Sequence, residues 1–317
     1  MVTLVIHGGA GNITPAMMNA DQEAQYTKGL KDVLNNGYDV LKNGGSALDA
    51  VEAAIMSMEN DPIFNAGLGS VFTKKGLNEM DAAIMNGSDL AAGAVAGVRN
   101  VKNPIRLAKE IMLHSGHVFL GGSGAGEFAL SRGIEMAPDD YFFNKTRYDQ
   151  WVKIRDSNFT QLDHEDDNLK GTAPDPEYKF GTVGAVACDE KGNIAGGTST
   201  GGMTNKRFGR IGDSPVVGAG TYANNKTCAI SCTGHGEFFL RAVVAYDVSC
   251  LMEYKGLSLQ DACAVVVKEK LVKMGGEGGL IAVDAQGNYD FCFNSAGMYR
   301  GMRNSDGKAA VAFYGNN

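Results

Sequence analysis

The most constraining feature of this 317-residue chain is a polar, acidic, turn-rich stretch over residues 158–181. It contains Asp163-His164-Glu165-Asp166-Asp167-Asn168 and Pro174-Asp175-Pro176, and ends at Gly181. Its composition is that of an exposed connection, the kind of place where a chain is cut without loss of fold. It runs directly into Thr182-Val183-Gly184-Ala185-Val186-Ala187, a small-residue apolar strand that opens with a hydroxyl. A threonine hydroxyl is a poor nucleophile unless a base sits beside it. One such base is the residue's own α-amino group, freed when the preceding peptide bond is cut. That amine titrates at about 7.7 to 8.0, so it accepts a proton near neutral pH and no histidine is required. The competing reading is that Thr182 merely opens a strand, which threonine favours.

Strands and helices alternate on both sides of this connection. Val2 to Ile6 reads as a buried strand ending in His7-Gly8-Gly9-Ala10-Gly11, whose glycines permit a sharp turn. Apolar spacing predicts helices over Asp21–Lys42 and Ser46–Met58, the second with Ser46 and Asp49 at capping-box spacing. Asp61 to Gly69 is a loop. Strands are expected near 81–85, 91–98 and 117–120, a helix opening at Asn103-Pro104, another after the turn Gly121–Gly126, and one more over 143–157. Beyond Thr182, strands are expected over 182–188, 193–199, 216–222 and 227–233, with hairpin turns at Gly192-Asn193 and Asn224-Asn225. Helices over 237–254 and 257–274 then precede strands near 279–284 and 289–293. The first of these helices is apolar nearly all round and should be packed on several sides. This order predicts an α/β fold with helices layered outside packed sheets, a four-layer α/β/β/α sandwich, in which the connection divides one structural domain (1–317) without separating two.

Composition narrows the function classes. Forty-three glycines within a chain that is 44% hydrophobic describe a globular protein with many tight turns. A net charge of −7 argues against general affinity for nucleic acid or an anionic membrane, leaving small molecules as the expected substrates. No segment approaches the roughly 18 uninterrupted apolar residues of a membrane span. All six cysteines (Cys188, Cys228, Cys232, Cys250, Cys263, Cys292) follow Thr182, mostly in apolar runs and never as C-x-x-C. They read as buried reduced thiols of a soluble cytoplasmic protein.

Three constellations downstream of Thr182 carry chemistry. Gly197-Thr198-Ser199-Thr200-Gly201-Gly202 closes a strand with three hydroxyls, of which Thr200 is the preferred partner for the Thr182 hydroxyl; an ordinary polar turn is the alternative. Arg210-Ile211-Gly212-Asp213 places a guanidinium and a carboxylate within one turn, a pair suited to the α-carboxylate and α-ammonium of an amino acid or, more blandly, to a surface ion pair. Ser231-Cys232-Thr233-Gly234-His235-Gly236-Glu237 lies where a strand meets the buried helix. Backbone N–H groups and the Thr233 hydroxyl there can converge on a developing oxyanion, or Thr233 can simply cap the helix. The turns at His7–Gly11 and Gly121–Gly126 match neither G-x-G-x-x-G nor a phosphate loop, and His114 and His117 lack the ligand spacing of a zinc site.

With these motifs in this order, the chain resembles the plant-type L-asparaginase/isoaspartyl aminopeptidase family of N-terminal nucleophile hydrolases. The similarity runs from His7-Gly8-Gly9-Ala10-Gly11 and Phe64-Asn65-Ala66-Gly67 through Gly181-Thr182-Val183-Gly184 and Thr198-Ser199-Thr200 to Gly209-Arg210-Ile211-Gly212-Asp213 and Cys232-Thr233-Gly234. The resemblance implies that Thr182 attacks the Gly181 carbonyl, leaving an α chain of residues 1–181 and a β chain of residues 182–317. It implies that mature Thr182 then attacks the side-chain amide of L-asparagine or the isopeptide carbonyl of a β-aspartyl dipeptide, with its α-amine as base, through an acyl-enzyme. On the same resemblance Thr200 orients the nucleophile, Arg210 and Asp213 hold the substrate, Thr233 and Gly234 form the oxyanion hole, Gly236 lines the substrate site and Asn65 lies near the nucleophile. No catalytic cofactor is implied. A structural sodium ion is, held chiefly by main-chain carbonyls of Met58, Glu59, Asp61, Phe64, Ala66 and Leu68, as is a homo-oligomer, a dimer of αβ units. Glycosylasparaginases, which cleave sugar-linked asparagine, share the fold and nucleophile, but the wording around Thr182 and Arg210 leans toward the isoaspartyl branch. His235 occupies a variable position in the Thr233–Gly236 turn, where a charge near pH 6.5 would alter substrate preference.

Overall fold

The computed structural model describes residues 1–156 and 181–315, so the expected exposed connection, apart from Gly181, lies outside the described residues. Period-two alternation along the apolar strands sets the layering. In β1 (Thr3–Gly11), Leu4 and Ile6 face one side while Val5 and Ala10 face the other, all without solvent exposure. The first half continues with α1 (Ala20–Lys42), α2 (Ala47–Glu59), β2 (Met80–Asn86), β3 (Ala92–Val98), α3 (Pro104–His114), β4 (Phe119–Gly121), α4 (Gly122–Ser131) and α5 (Lys145–Ile154). The second half holds β5 (Val183–Cys188), β6 (Ile194–Thr200), β7 (Thr221–Ala223), β8 (Ala229–Gly234), α6 (Gly236–Ala242), α7 (Val244–Lys255) and α8 (Leu259–Ala264), then β9 (Gly278–Val283), β10 (Tyr289–Phe293), β11 (Gly297–Asn304) and β12 (Ala309–Tyr314).

An eight-stranded sheet runs in the order β12-β11-β1-β5-β6-β2-β3-β4, and a four-stranded sheet in the order β10-β9-β8-β7. Three apolar layers result. Leu30, Val33, Ile55 and Met58 of α1 and α2 pack on Leu4, Ile6 and Ala185 outside the large sheet. Val5, Val186 and Cys188 meet Ile281 and Val283 between the two sheets. Ile230, Cys232 and Leu280 meet Phe239, Val248 and Val266 beneath the second set of helices. This is the α/β/β/α sandwich expected from the strand and helix order. Each fully buried Leu, Ile or Val contributes about 1.5–3 kcal/mol, so the three layers are the main stabilising term. Strands from both sides of the 181–182 junction interleave: β1 pairs with β11 on one side and β5 on the other, and β6 pairs with β2.

Local signals set most boundaries. Asn19 and Ser46 cap α1 and α2 with their side chains, and Pro104 opens α3. The helix expected over 237–254 is instead broken at Val243, whose φ of 50° and ψ of 50° are left-handed, a conformation that costs an L residue roughly 1–2 kcal/mol. The helix expected over 257–274 passes from α8 into a π-helical segment, Val265–Leu271, before a last turn. The strand expected over 216–222 is short, beginning only at Thr221, although Val217 makes a lone bridge to it. β11 and β12 were not anticipated. No disulfide joins the six cysteines, five of which are buried; burial pushes the Cys188 thiol up to about 11 and the Cys228 thiol up to about 12. Among the described residues no helix is long and apolar enough to cross a membrane.

Candidate active site

Thr182 immediately precedes β5, in the middle of the large sheet, where Gly184 registers with His7 on one side and with Thr198 on the other. The Thr182 hydroxyl donates to Thr200 Oγ1 at 3.2 Å, and Thr200 Oγ1 also accepts the Gly202 N–H at 2.9 Å, which fixes it at the end of β6. Ser214 Oγ lies 3.4 Å from Thr182 Oγ1. Nothing in the sequence singled Ser214 out beyond its place next to Asp213. Beneath the nucleophile runs a buried chain of hydroxyls: His7 Nε2 to Ser231 Oγ at 2.9 Å, Ser231 Oγ to Thr198 Oγ1 at 2.7 Å, and Thr221 Oγ1 donating to Thr198 Oγ1 at 2.6 Å. Burial pushes the His7 ring down to about 3, so it is neutral at pH 7 and acts as a hydrogen-bonding strut rather than a charged acid.

On the other side of the 181–182 peptide bond, two glycines meet. Gly9 has φ 115°, and a Cβ there would lie 2.7 Å from Gly181 Cα. A Cβ on Gly181 would in turn lie 2.9 Å from Gly9 Cα and 3.0 Å from Thr233 Oγ1. No side chain fits at either position. Thr233 is buried and accepts the Ala10 N–H at 3.3 Å, while Gly234 bends β8 with φ 148°. The peptide bond is therefore bracketed, with Gly181 against the Thr233 hydroxyl and the Thr182 hydroxyl against Thr200 and Ser214.

Arg210 and Asp213 lie together without the ion pair between them that was the alternative reading. Arg210 donates from Nε to Glu237 Oε1 at 3.0 Å and from Nη2 to Glu237 Oε2 at 2.9 Å. The Asp213 carboxyl is buried with Oδ2 lacking a hydrogen-bond partner; burial pushes its pKa up to about 7, with Arg210 opposing the shift. A Cβ on Gly236 would lie 2.8 Å from Arg210 Nη2 and 2.9 Å from Asp213 Oδ1, so this glycine keeps a small gap open between cation and carboxylate. Glu237 stood in the sequence string but received no role, because nothing local announces that it faces Arg210. Asn65 is one step removed from the nucleophile: its Nδ2 donates to Gly202 O at 2.8 Å and its Oδ1 accepts the Val71 N–H at 3.1 Å, tying the 61–69 loop to the turn that holds Thr200.

The loop containing Met58, Glu59, Asp61, Phe64, Ala66 and Leu68 presents carbonyls rather than side chains. A Cβ on Gly67 would collide with the Glu59 carbonyl oxygen, and one on Gly69 with those of Phe64 and Pro62. The Glu59 carboxylate is spent elsewhere, accepting from Ser199 Oγ at 2.6 Å, the Ile105 N–H at 3.0 Å and Asn103 Nδ2 at 3.1 Å, where it caps α3. The Met58 and Ala66 carbonyls already accept the Asp61 and Gly69 N–H groups. Among the described residues no three His, Cys, Asp or Glu side chains gather as metal ligands. The interior oxygens suit a hard cation and no soft one.

A four-layer sandwich with a strand-opening threonine between hydroxyl partners is the arrangement of the N-terminal nucleophile hydrolases. Residues 1–313 match the family model described as Asparaginase, and the chain belongs to that family. It is 51% identical to the isoaspartyl peptidase of Salmonella typhimurium over 94% of this chain and 93% of that protein. It is 50% identical to the isoaspartyl peptidase of Escherichia coli over 94% and 91%. With the isoaspartyl peptidase/L-asparaginase of Rattus norvegicus the identity is 41%, over 94% and 84%.

Proposed function

We propose that this chain is a self-processing amidohydrolase that cleaves β-aspartyl dipeptides and the side-chain amide of L-asparagine. The observation that carries the reading is the bracketing of one peptide bond, with the Thr182 hydroxyl 3.2 Å from Thr200 Oγ1 while Gly181 abuts Thr233 Oγ1. In maturation the Thr182 oxygen adds to the Gly181 carbonyl carbon, the C–N bond breaks as nitrogen takes a proton, and water hydrolyses the resulting ester. The products are a Gly181 carboxylate and a free α-amine on Thr182, giving chains 1–181 and 182–317. In turnover that amine takes the hydroxyl proton, and the oxygen adds to the substrate's β-carbonyl. The Thr233 hydroxyl and Gly234 N–H stabilise the oxyanion. Ammonia or an amino acid leaves carrying the proton, and water releases aspartate from the acyl-enzyme. Arg210 takes the α-carboxylate and Asp213 the α-ammonium.

The names of the relatives support this reading over cleavage of sugar-linked asparagine. N-terminal sequencing of the purified protein tests it: a second chain beginning at Thr182 is expected, together with release of aspartate from L-asparagine and from a β-aspartyl dipeptide. Full activity in protein still intact across 181–182 would overturn it. Two structural proposals accompany it. The carbonyl-lined loop holds sodium, so exchanging sodium for a larger monovalent cation lowers the melting temperature. The processed enzyme assembles as a dimer of αβ units, which light scattering reads directly. The absence of disulfides supports a cytoplasmic setting.

A further inference from the structure

The Arg210 guanidinium is already closed on a carboxylate of its own chain, and this raises the question of what that contact does for the substrate. Two parallel N–H···O bonds of 3.0 and 2.9 Å from Nε and Nη2 to Glu237 form a complete fork. What remains for any other anion is Nη1 and the second hydrogen of Nη2. Nη2 borders the gap kept open by Gly236, with Asp213 Oδ1 across it.

The loop carrying Arg210 supplies little restraint of its own. Phe208 is fully exposed with φ 57°, and Gly209 has φ 67° with nothing within 4 Å of the place a Cβ would take. Glu237, by contrast, is the second residue of α6, whose Phe239 and Ala242 are buried in the apolar layer below. Apart from the close approach of Gly212 to the guanidinium, the hold on Arg210 thus comes from the helix rather than from its own loop. The same Oε2 that accepts from Arg210 lies 3.5 Å from His235 Nε2.

We infer that Glu237 is a positioning residue for substrate binding: by occupying one edge of the Arg210 fork it turns the other edge into the gap beside Gly236 and Asp213, where the substrate's α-carboxylate docks. This rests on the amidohydrolase reading above. The opposite role, a carboxylate that competes with substrate for Arg210, predicts changes of the opposite sign, so the two are separable by experiment.

Glu237 is about half exposed, and ion pairs of that kind contribute little to stability, so its replacement leaves the fold intact. The test compares wild-type, Glu237→Ala and Glu237→Gln processed enzyme, measuring kcat and KM for L-asparagine and inhibition by L-aspartate and by β-alanine, which lacks the α-carboxylate. Glu237→Ala is expected to raise KM and the L-aspartate inhibition constant together by about tenfold, with kcat within about threefold and β-alanine inhibition unmoved. Glu237→Gln, which keeps the shape and one acceptor, restores part of the loss. An unchanged or lowered KM in Glu237→Ala overturns the inference, as does equal weakening of L-aspartate and β-alanine. Should Glu237→Ala fail to mature, Glu237→Gln decides by the same comparison. Failure of wild-type enzyme to release aspartate from L-asparagine refutes the underlying reading instead.

Discussion

The two sides of the site are built in different ways. The nucleophile side is part of the sheet: Thr182 and Thr200 flank paired strands, Ser214 and Thr233 are buried, and hydroxyls bond to hydroxyls beneath them. The head-group side is carried by a glycine-rich loop with left-handed residues at Asn205, Phe208 and Gly209, and borrows its order from α6 through Glu237. Reaction geometry tolerates little displacement, because a small misplacement of reacting atoms is costly, whereas a head-group grip can be adjusted on a loop. Of the proposed bond-making residues, Thr200, Thr233 and Gly234 lie on strands and Thr182 directly precedes one, whereas Ser214 shares the off-sheet segment of the proposed recognising residues. Substitutions on the sheet side should lower kcat or block maturation, and those on the loop side should act on KM.

The largest expected effect is that of Thr182→Ala, which removes the proposed nucleophile and abolishes both cleavage and turnover; a single band on a denaturing gel with no aspartate release is the readout. Gly9→Ala comes next. Its Cβ would press to 2.7 Å from Gly181 Cα at a φ of 115°, so cleavage at 181–182, followed as the rate of appearance of the shorter chain, should slow by at least about a hundredfold. Ser214→Ala sharpens the contrast within one segment, since it removes a hydroxyl 3.4 Å from the nucleophile; kcat should fall about tenfold with KM little changed.

Asp213→Asn probes the loop side through pH. With its carboxyl pushed up to about 7, Asp213 is charged only above that pH in the free enzyme, so KM for L-asparagine falls as pH rises through about 7, and the substitution levels that limb. Stability moves the other way. The folded protein holds this proton from the ordinary value of 3.8 up to about 7 while the unfolded chain releases it. The stabilising contribution is thus complete at low pH and lost as pH rises through about 7, a slope that Asp213→Asn removes from the melting curve series. The smallest effect is expected at Phe208, which is fully exposed and left-handed: Phe208→Gly should leave kcat unchanged and stabilise by about 1 kcal/mol, since glycine adopts that φ freely. A large loss of kcat at Phe208, or a pure KM effect at Ser214, would break the division between the two sides.

Much of the nucleophile side was legible in the sequence because strand-opening hydroxyls and glycine turns are local signals. The Thr182 hydroxyl meets Thr200, and Thr233 lies beside Gly181, where a Cβ would come 3.0 Å from its Oγ1. The four layers could be read from the order of strands and paired helices in both halves and from helical spacing in α1 and α2. The misses have non-local causes. Val243 breaks a helix without glycine or proline, so no propensity foretold it. β12 presents small and exposed residues at a sheet edge, where the alternation signal is weak. Glu237 and Ser214 gain meaning only from what the fold brings opposite them, an arginine 27 positions away and a threonine 32 positions away.

The interleaving of strands bears on how such an enzyme can be made at all. On the proposed cleavage, β1 comes from one piece and is laced between β5 and β11 of the other, so neither piece owns the complete eight-stranded sheet. Two separately translated fragments would each display unpaired strand edges and half a core, and would meet in solution as aggregation-prone halves. A single reading frame avoids that search by bringing both pieces to the same place at the same time, and the proposed scission would leave the ladder's hydrogen bonds in place. Molecular birth as one polypeptide and the proposed working life as two would then be consequences of the same weave.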